Sequence, residues 1–241
     1  TLYAMILMLK PESMVVASIE DPIEFDLPSI RKVEVNEENG ITMASGLRVL
    51  LRMDPDVVMV GEIRDRASAA AAARAGAAGR FILATIHAGN TASIVESLRR
   101  YAVSSETVGG TLRLLIAQNL VRRLCQECAE EVEPSNEDKK LFRRFNVNVP
   151  ATILKARGCK ECNRSGYSGL TGIFEVVEVD EELGALISDG PPLIELDKVI
   201  KERAERTIFA DGLEKVKKGI TSIDEIQNLF WPVTGEGDSS S

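Results

Sequence analysis

Three short apolar runs, each closed by an ionisable residue, restrict this chain more than any other feature. The central one is Val57-Val58-Met59-Val60, inside Asp54-Pro55-Asp56-Val57-Val58-Met59-Val60-Gly61-Glu62-Ile63-Arg64-Asp65. Four consecutive apolar residues, three of them β-branched, read as a strand buried on both faces. The run is expected to stop at Gly61, which places Glu62 at the rim rather than inside the sheet. Val15–Ile19 ends in Glu20-Asp21-Pro22-Ile23-Glu24, and Phe81–Ile86 ends in His87, the only histidine of the chain. Ligands of open parallel sheets bind beyond the carboxyl ends of the strands. With the three strands parallel, Glu20, Asp21, Glu24, Glu62 and His87 converge on one edge. The bland alternative is three core strands followed by polar loops. One such strand would favour that alternative; three, ending in acid, acid and histidine, favour a site.

The remaining elements follow from period and punctuation. Leu2–Lys10 reads as a helix stopped by Pro11. Val33-Glu34-Val35 reads as a short strand, and Asn39-Gly40 as a turn. Met43, Leu47, Leu50 and Leu51 recur at helical spacing, with Arg48 and Arg52 four apart on one face. Arg66–Ala78 is an alanine-rich helix that Gly79 ends. Helices are expected at Thr91–Arg100 and Thr107–Leu120. Strand and helix alternate, which predicts an α/β domain with a parallel sheet over 1–120. The character changes at 121–165, a cysteine-bearing segment with a helix at Ser135–Phe145 in which Arg122 and Arg123 read as solvated. The stretch 166–233 starts as a turn-rich link at Gly166, Gly169 and Gly172, and a strand follows at Ile173–Val179. It is otherwise helical: Leu193–Arg206, Phe209–Lys218 and Ile223–Phe230, the last capped by a Ser222/Glu225 capping box. Residues 234–241 hold no core residue and read as a disordered tail.

Composition narrows the function. The net charge of −8 speaks against a general nucleic-acid surface, and 5% aromatic content speaks against stacking on bases. The longest apolar stretch, Leu2–Leu9, falls far short of the roughly 20 residues a bilayer span requires. No signal peptide is recognisable at the start. The expectation is a cytoplasmic protein that is not inserted in a membrane and reaches one only through a partner.

All four cysteines fall in two Cys-x-x-Cys pairs, Cys125/Cys128 and Cys159/Cys162. Two such pairs complete a tetrahedral Zn2+ shell with no open position, the pattern of a structural site. Two redox pairs and structural disulfides are the alternatives, the latter disfavoured inside cells.

With these residues together, the chain closely resembles the type II secretion and type IV pilus assembly ATPases (the GspE/PilB group) from Thr1 to about Leu229. Ile19-Glu20-Asp21-Pro22-Ile23-Glu24 is similar to that family's acidic box. Asp54 to Asp65 is similar to its Walker B segment, and Ala84-Thr85-Ile86-His87 to its histidine box. Gly166-Tyr167, Gly172-Ile173-Phe174-Glu175 and the tetracysteine region are typical of the group. The resemblance implies a RecA-like P-loop NTPase core with a tetracysteine zinc subdomain and a helical C-terminal region. It implies ATP and Mg2+ as ligands besides Zn2+. Glu24 would orient or activate the attacking water, supported by Asp21 and Glu20. Glu62 would act on Mg2+, and His87 would sense or position the phosphate. Arg48 and Arg52 resemble arginines offered to a neighbouring subunit's nucleotide, which implies a homo-oligomeric ring, a hexamer in this family. Their bland alternative is the exposed face of an amphipathic helix.

Two departures stand out. Ala88-Gly89-Asn90 follows His87, where the family usually has a threonine and asparagine. No Gly-x-x-x-x-Gly-Lys-Ser/Thr occurs in the sequence. Since the family has that loop just before a Thr-Leu-Tyr like Thr1-Leu2-Tyr3, the sequence is expected to begin immediately after it, as an incomplete core lacking Walker A. The function expected is the motor of a secretion or pilus machine, peripheral to the inner membrane and acting on a platform protein there. The chain alone is expected to be inactive. The competing expectation is a nucleotide-free, zinc-stabilised module that only binds partners; a retraction-type pilus motor is a weaker third, since tetracysteine zinc is not expected in that branch.

Overall fold

A computed structural model of the chain describes residues 1–10 and 13–230. The tail 234–241 lies outside the described residues. The first elements are α1 (Leu2–Met8), β1 (Val16–Glu20), β2 (Ile30–Glu34), α2 (Met43–Leu51), β3 (Val57–Ile63), α3 (Arg66–Ala77), β4 (Phe81–Ile86), α4 (Thr91–Arg100) and α5 (Ser105–Thr111). There follow β5 (Leu114–Leu124), β6 (Glu130–Val132), α6 (Asn136–Arg144), β7 (Ile153–Lys155) and β8 (Tyr167–Glu178). The last are α7 (Glu181–Asp189), α8 (Leu193–Arg203), α9 (Ile208–Lys217) and α10 (Ile223–Phe230).

The chain forms two units, Thr1–Leu115 with Glu178–Arg203, and Ile116–Val177 with Ala204–Ser241. The division differs from a linear split into 1–120, 121–165 and 166–233. The stretch 178–203 belongs with the first unit, and 204–230 shares a unit with the cysteine segment.

In the first unit a four-stranded sheet runs β2-β1-β3-β4. Every neighbouring pair is parallel, as the three apolar runs demand. The register aligns Val16 with Val57 and Val57 with Phe81. Because strand side chains alternate, Val16, Val57, Met59 and Leu83 share one face and bury Ile6 of α1. Helices α2 and α3 cover the other face. The alanines of α3 let it approach closely: Ala69, Ala71, Ala72 and Ala75 are buried. Both helices open on capping boxes, Thr42 with Ser45 and Asp65 with Ser68, which satisfy amide groups that a helix start leaves unpaired.

In the second unit β5 and β8 form a two-stranded sheet. Strands β6 and β7 pair antiparallel, Glu130 opposite Lys155 and Val132 opposite Ile153. The core gathers Val121, Phe142, Ile153, Ile173, Leu213, Val216 and Ile226. Phe145 and Phe209 stack with ring centroids 4.2 Å apart.

Several expectations are corrected. No helix spans 107–120. Helix α5 ends at Thr111, Leu112 is extended, and β5 begins at Leu114. The Gly109-Gly110 pair weakens a helix there, and pairing with β8 decides the conformation. Strand β8 starts at Tyr167, inside what reads as a turn-rich link. Strand β3 does not stop at Gly61 but continues through Glu62 to Ile63, with an irregular register against β4. Glu20 is the last residue of β1 rather than a loop acid. The cap of α10 is half a capping box: the Ser222 hydroxyl accepts from the Glu225 amide, but the Glu225 carboxylate turns to Arg122. Arg122 is therefore ion-paired, and its guanidinium lies over the Tyr167 ring at 4.1 Å.

Candidate functional site

The carboxyl edge of the parallel sheet brings Asp21, Glu62 and His87 together. Asp21 follows β1 directly, Glu62 lies near the end of β3, and His87 follows β4 directly. Since β1, β3 and β4 are parallel neighbours, their ends must share an edge. The Nε2 of His87 stands 2.8 Å from Oε1 of Glu62. Arg64 is the connecting group: Nε donates to Oε2 of Glu62 at 2.5 Å and a terminal nitrogen donates to Oδ2 of Asp21 at 2.7 Å. Arg64 sits two residues beyond Glu62, on the same side of an extended chain, and this lets one guanidinium clasp both carboxylates. Its pKa is raised, first by the bond it donates to Glu62 and then by that to Asp21. The Glu62 side chain is 16% exposed and that of His87 94%. A half-sheltered carboxylate thus faces an open imidazole, at a place a substrate can reach. The Thr85 hydroxyl donates to the Gly61 carbonyl and ties β4 to β3 beside the pair.

Glu20 is held apart from this group. It is 3% exposed. One of its oxygens accepts from the Ser18 hydroxyl at 2.7 Å and the other from the Tyr3 phenol. Tyr3 is pushed up to about 12 by desolvation and by the carboxylate beside it. Glu24 lies exposed beyond β1 and makes no hydrogen bond or ion pair with another described residue. Its charge is felt at Tyr3. Arg48 and Arg52 are not brought to the acids. Helix α2 runs back from the carboxyl end of β2 to the start of β3, so its last turn lies at the opposite, amino edge of the sheet. Arg64 and Tyr3 join the site only through the fold: the spacing Glu62-x-Arg64 at a strand end is the one local signal for Arg64, and nothing local marks Tyr3.

In the second unit the four cysteines form one cluster, with ligand atoms all within 4.8 Å of one another. Sulfurs bound to Zn2+ at about 2.3 Å stand roughly 3.8 Å apart at tetrahedron corners. The observed separations are 3.9 Å for Cys125–Cys159, 3.8 Å for Cys128–Cys162 and 3.7 Å for Cys159–Cys162. A disulfide would need about 2.0 Å, and all four thiols are free. The geometry and the all-thiolate donor set fit zinc. The backbone around the cluster is prepared for anionic sulfur. The Cys159 amide donates to the Cys162 sulfur at 3.1 Å and the Gly166 amide at 3.2 Å. Led by the Cys159 bond, these donors hold the Cys162 thiol down at about 6.

Comparison with known proteins places the chain in a family. Residues 1–228 match the family described as Type II/IV secretion system protein. The chain is 39% identical over 229 residues to type II secretion system ATPase E of Vibrio cholerae, covering 95% of this chain and 45% of that protein. It is 35% identical over 213 residues to the type IV pilus assembly ATPase PilB of Thermus thermophilus, covering 87% of this chain and 24% of that protein. The chain therefore spans less than half the length of these curated relatives. Among solved structures, the Legionella pneumophila ATPase DotB superposes with a TM-score of 0.62 at 20% identity, over 90% of this chain and 51% of that one. The pilus retraction motor PilT with bound ADP superposes with a TM-score of 0.64 at 17% identity, over 94% and 56%. These two likenesses identify the fold, the α/β architecture of such ATPases. The sequence matches go further: this chain belongs to the type II/IV secretion system protein family.

Proposed function

We propose that this chain is the catalytic edge and zinc-stabilised arm of an ATP-hydrolysing motor that drives type II secretion or type IV pilus assembly. The observation that carries the reading is the Asp21–Arg64–Glu62–His87 constellation at the carboxyl edge of the parallel sheet. Asp21 and Glu62 are the hard oxygen donors that Mg2+ takes, and they would hold it there. When bound, Mg2+ neutralises charge on the terminal phosphates. Glu24, free of partners and close by in sequence, accepts a proton from the attacking water and orients it. Glu20 supports that loop from inside the sheet. His87 follows the phosphate through its contact with Glu62. Arg48 and Arg52, at the far edge, serve a neighbouring subunit's nucleotide, which makes the working form a hexameric ring. This reading requires a backbone cradle for the phosphates, of the Gly-x-x-x-x-Gly-Lys-Ser/Thr kind, in addition to the residues of chain 1–241.

In the second unit, Cys125, Cys128, Cys159 and Cys162 hold Zn2+, whose role is structural because no coordination position is left open. The zinc subdomain is the rigid arm that meets a platform protein at the cytoplasmic face of the inner membrane. Among the described residues no helix is long and apolar enough to cross a membrane, so this reading places the contact with the membrane in the partner.

The deciding experiment uses the longer polypeptide that carries the phosphate loop. Glu62→Gln keeps the shape but loses the charge, and steady-state phosphate release is expected to fall at least about a hundredfold. Unchanged turnover removes Glu62 from the chemistry. Failure of the longer polypeptide to bind ATP would select a second reading, a nucleotide-free module that binds partners through its zinc arm.

A further inference from the structure

The segment that carries Glu24 has no regular structure of its own, yet its backbone is held on both sides of that residue. Residues 21–29 join β1 to β2. The Ile23 amide donates to Oε1 of Glu34, the last residue of β2, at 3.3 Å. The Phe25 carbonyl accepts from Nζ of Lys32 at 2.8 Å and lies 3.3 Å from the Tyr3 hydroxyl. Lys32 also donates to Oδ1 of Asp26 at 2.9 Å, and its side chain is only 9% exposed. Glu24 stands between these anchored residues and itself bonds to no described residue. A free carboxylate on a pinned backbone keeps its lone pairs for a ligand while its main chain stays in place.

Tyr3 ties this segment to a third element, the first turn of α1. Its ring meets the Phe25 ring edge-on, with centroids 5.3 Å apart and planes at 73°, an arrangement that aromatic quadrupoles favour. Phe25 is 65% exposed, so this contact rather than a core fixes its ring. The single phenol proton goes chiefly to the Glu20 carboxylate, with the Phe25 carbonyl near enough to share it. One side chain thus joins the last residue of β1 to the residue that follows Glu24. The charge of Glu24 is felt at the phenol, whose pKa of about 12 keeps it a donor throughout the neutral range.

We propose that Tyr3 is a positioning residue for Glu24: through Glu20, the Phe25 carbonyl and the Phe25 ring, it fixes the place of the Glu24 carboxylate beyond the end of β1. The holding of the segment does not depend on any reaction. Its consequence for hydrolysis rests on the reading of Glu24 as the group that orients the attacking water.

Two measurements separate these parts. On chain 1–241, NMR relaxation and hydrogen exchange are followed at the amides of residues 23–26 in two variants. Tyr3→Phe loses only the hydroxyl; Phe25→Leu, at an exposed position, loses only the ring edge. Both are expected to speed exchange at 23–26 severalfold while the amides of β3 keep their protection. Unchanged amides at 23–26 in the folded variants, or a rise shared equally by β3, overturn the proposal. In the longer polypeptide that carries the phosphate loop, Tyr3→Phe is expected to lower kcat about tenfold with the KM for ATP little changed, because misplacing a reacting group slows the step without weakening binding. A raised KM with kcat unchanged overturns the positioning role. Glu24→Gln in the same protein tests the underlying reading. Unchanged turnover there overturns that reading and the catalytic consequence assigned to Tyr3, while the amide measurement alone decides the holding of the segment. With Glu24→Gln already in place, Tyr3→Phe is expected to cost less than about twofold more, since both act on one group. A further loss of about tenfold, as independent effects give, places Tyr3 in a different role and overturns the proposal.

Discussion

The environment of a carboxylate decides what it can do, and Glu20 and Glu225 illustrate two outcomes. Glu20 is buried at the end of a strand, and both of its oxygens are satisfied there because Ser18 and Tyr3 donate to them. Tyr3→Phe removes one donor and leaves an oxygen unpaired, so urea unfolding should report a loss of about 1–3 kcal/mol; no change would mean that Glu20 finds water there. Glu225 is pulled both ways. Partial burial opposes its charge, but the Arg122 guanidinium at 2.6 Å and the Arg122 amide at 2.9 Å prevail. Its pKa is therefore below the ordinary 4.5. A carboxyl with a depressed folded pKa contributes stability that is present above its unfolded value and is lost as pH falls through the folded one. The stability difference between the parent chain and Arg122→Gln should thus be present at pH 7 and shrink below pH 4.5. A difference that stays constant into acid would assign the effect of Arg122 to its stacking on Tyr167 instead. The pair could not be read locally, because Arg122 and Glu225 are 103 residues apart. Asp21, Glu62 and His87 were legible because each ends an apolar run.

Elements with a dense local apolar pattern are legible in the sequence. Strands β1, β3 and β4 announce themselves as short apolar runs, β1 and the first half of β3 with both faces covered and β4 although it is largely exposed, and α3 announces itself through its alanines. Strand β5 did not, since its pattern of buried residues is sparse and its partner β8 is distant in sequence. The glycines of 166–172 mark a strand rather than a turn, and Gly166 takes a positive φ of 78° just before it. Helix α7, which went unread, has its start next to β8 and makes an unusually close contact with α5. A Cβ on Gly109 would stand 2.2 Å from the Gly184 carbonyl oxygen and 2.3 Å from the Ser188 hydroxyl. The two backbones touch because neither glycine carries a side chain. Gly109→Ala gains a little helix propensity but must push the helices apart, and overpacking of this kind costs about 1–3 kcal/mol. Chemical denaturation should show that net loss. A stabilised variant would mean that the helices separate without strain.

At the scale of the molecule, the division into units was the least legible property. A linear reading assigns 178–203 to whatever precedes or follows it, whereas contacts place it with 1–115. That membership depends on long-range packing, such as Arg99 donating to the Ile187 and Pro191 carbonyls, and no local period encodes it. Each unit has its own apolar core, and domains with separate cores open separately. The cysteine cluster lies wholly within 116–177. Zinc bound there stabilises only the folded form of that unit, by mass action. Removing it with a strong chelator should therefore lower one calorimetric transition and leave the other in place. Hydrogen exchange should locate the loss: amides of β6, β7 and the cysteine turns lose protection, while those of β1, β3 and β4 keep theirs. Readdition of one equivalent of Zn2+ should restore the first transition. Loss spread equally over both units would show that they unfold as one body, and no loss at all would show that the four sulfurs, despite their tetrahedral spacing, hold no stabilising ion.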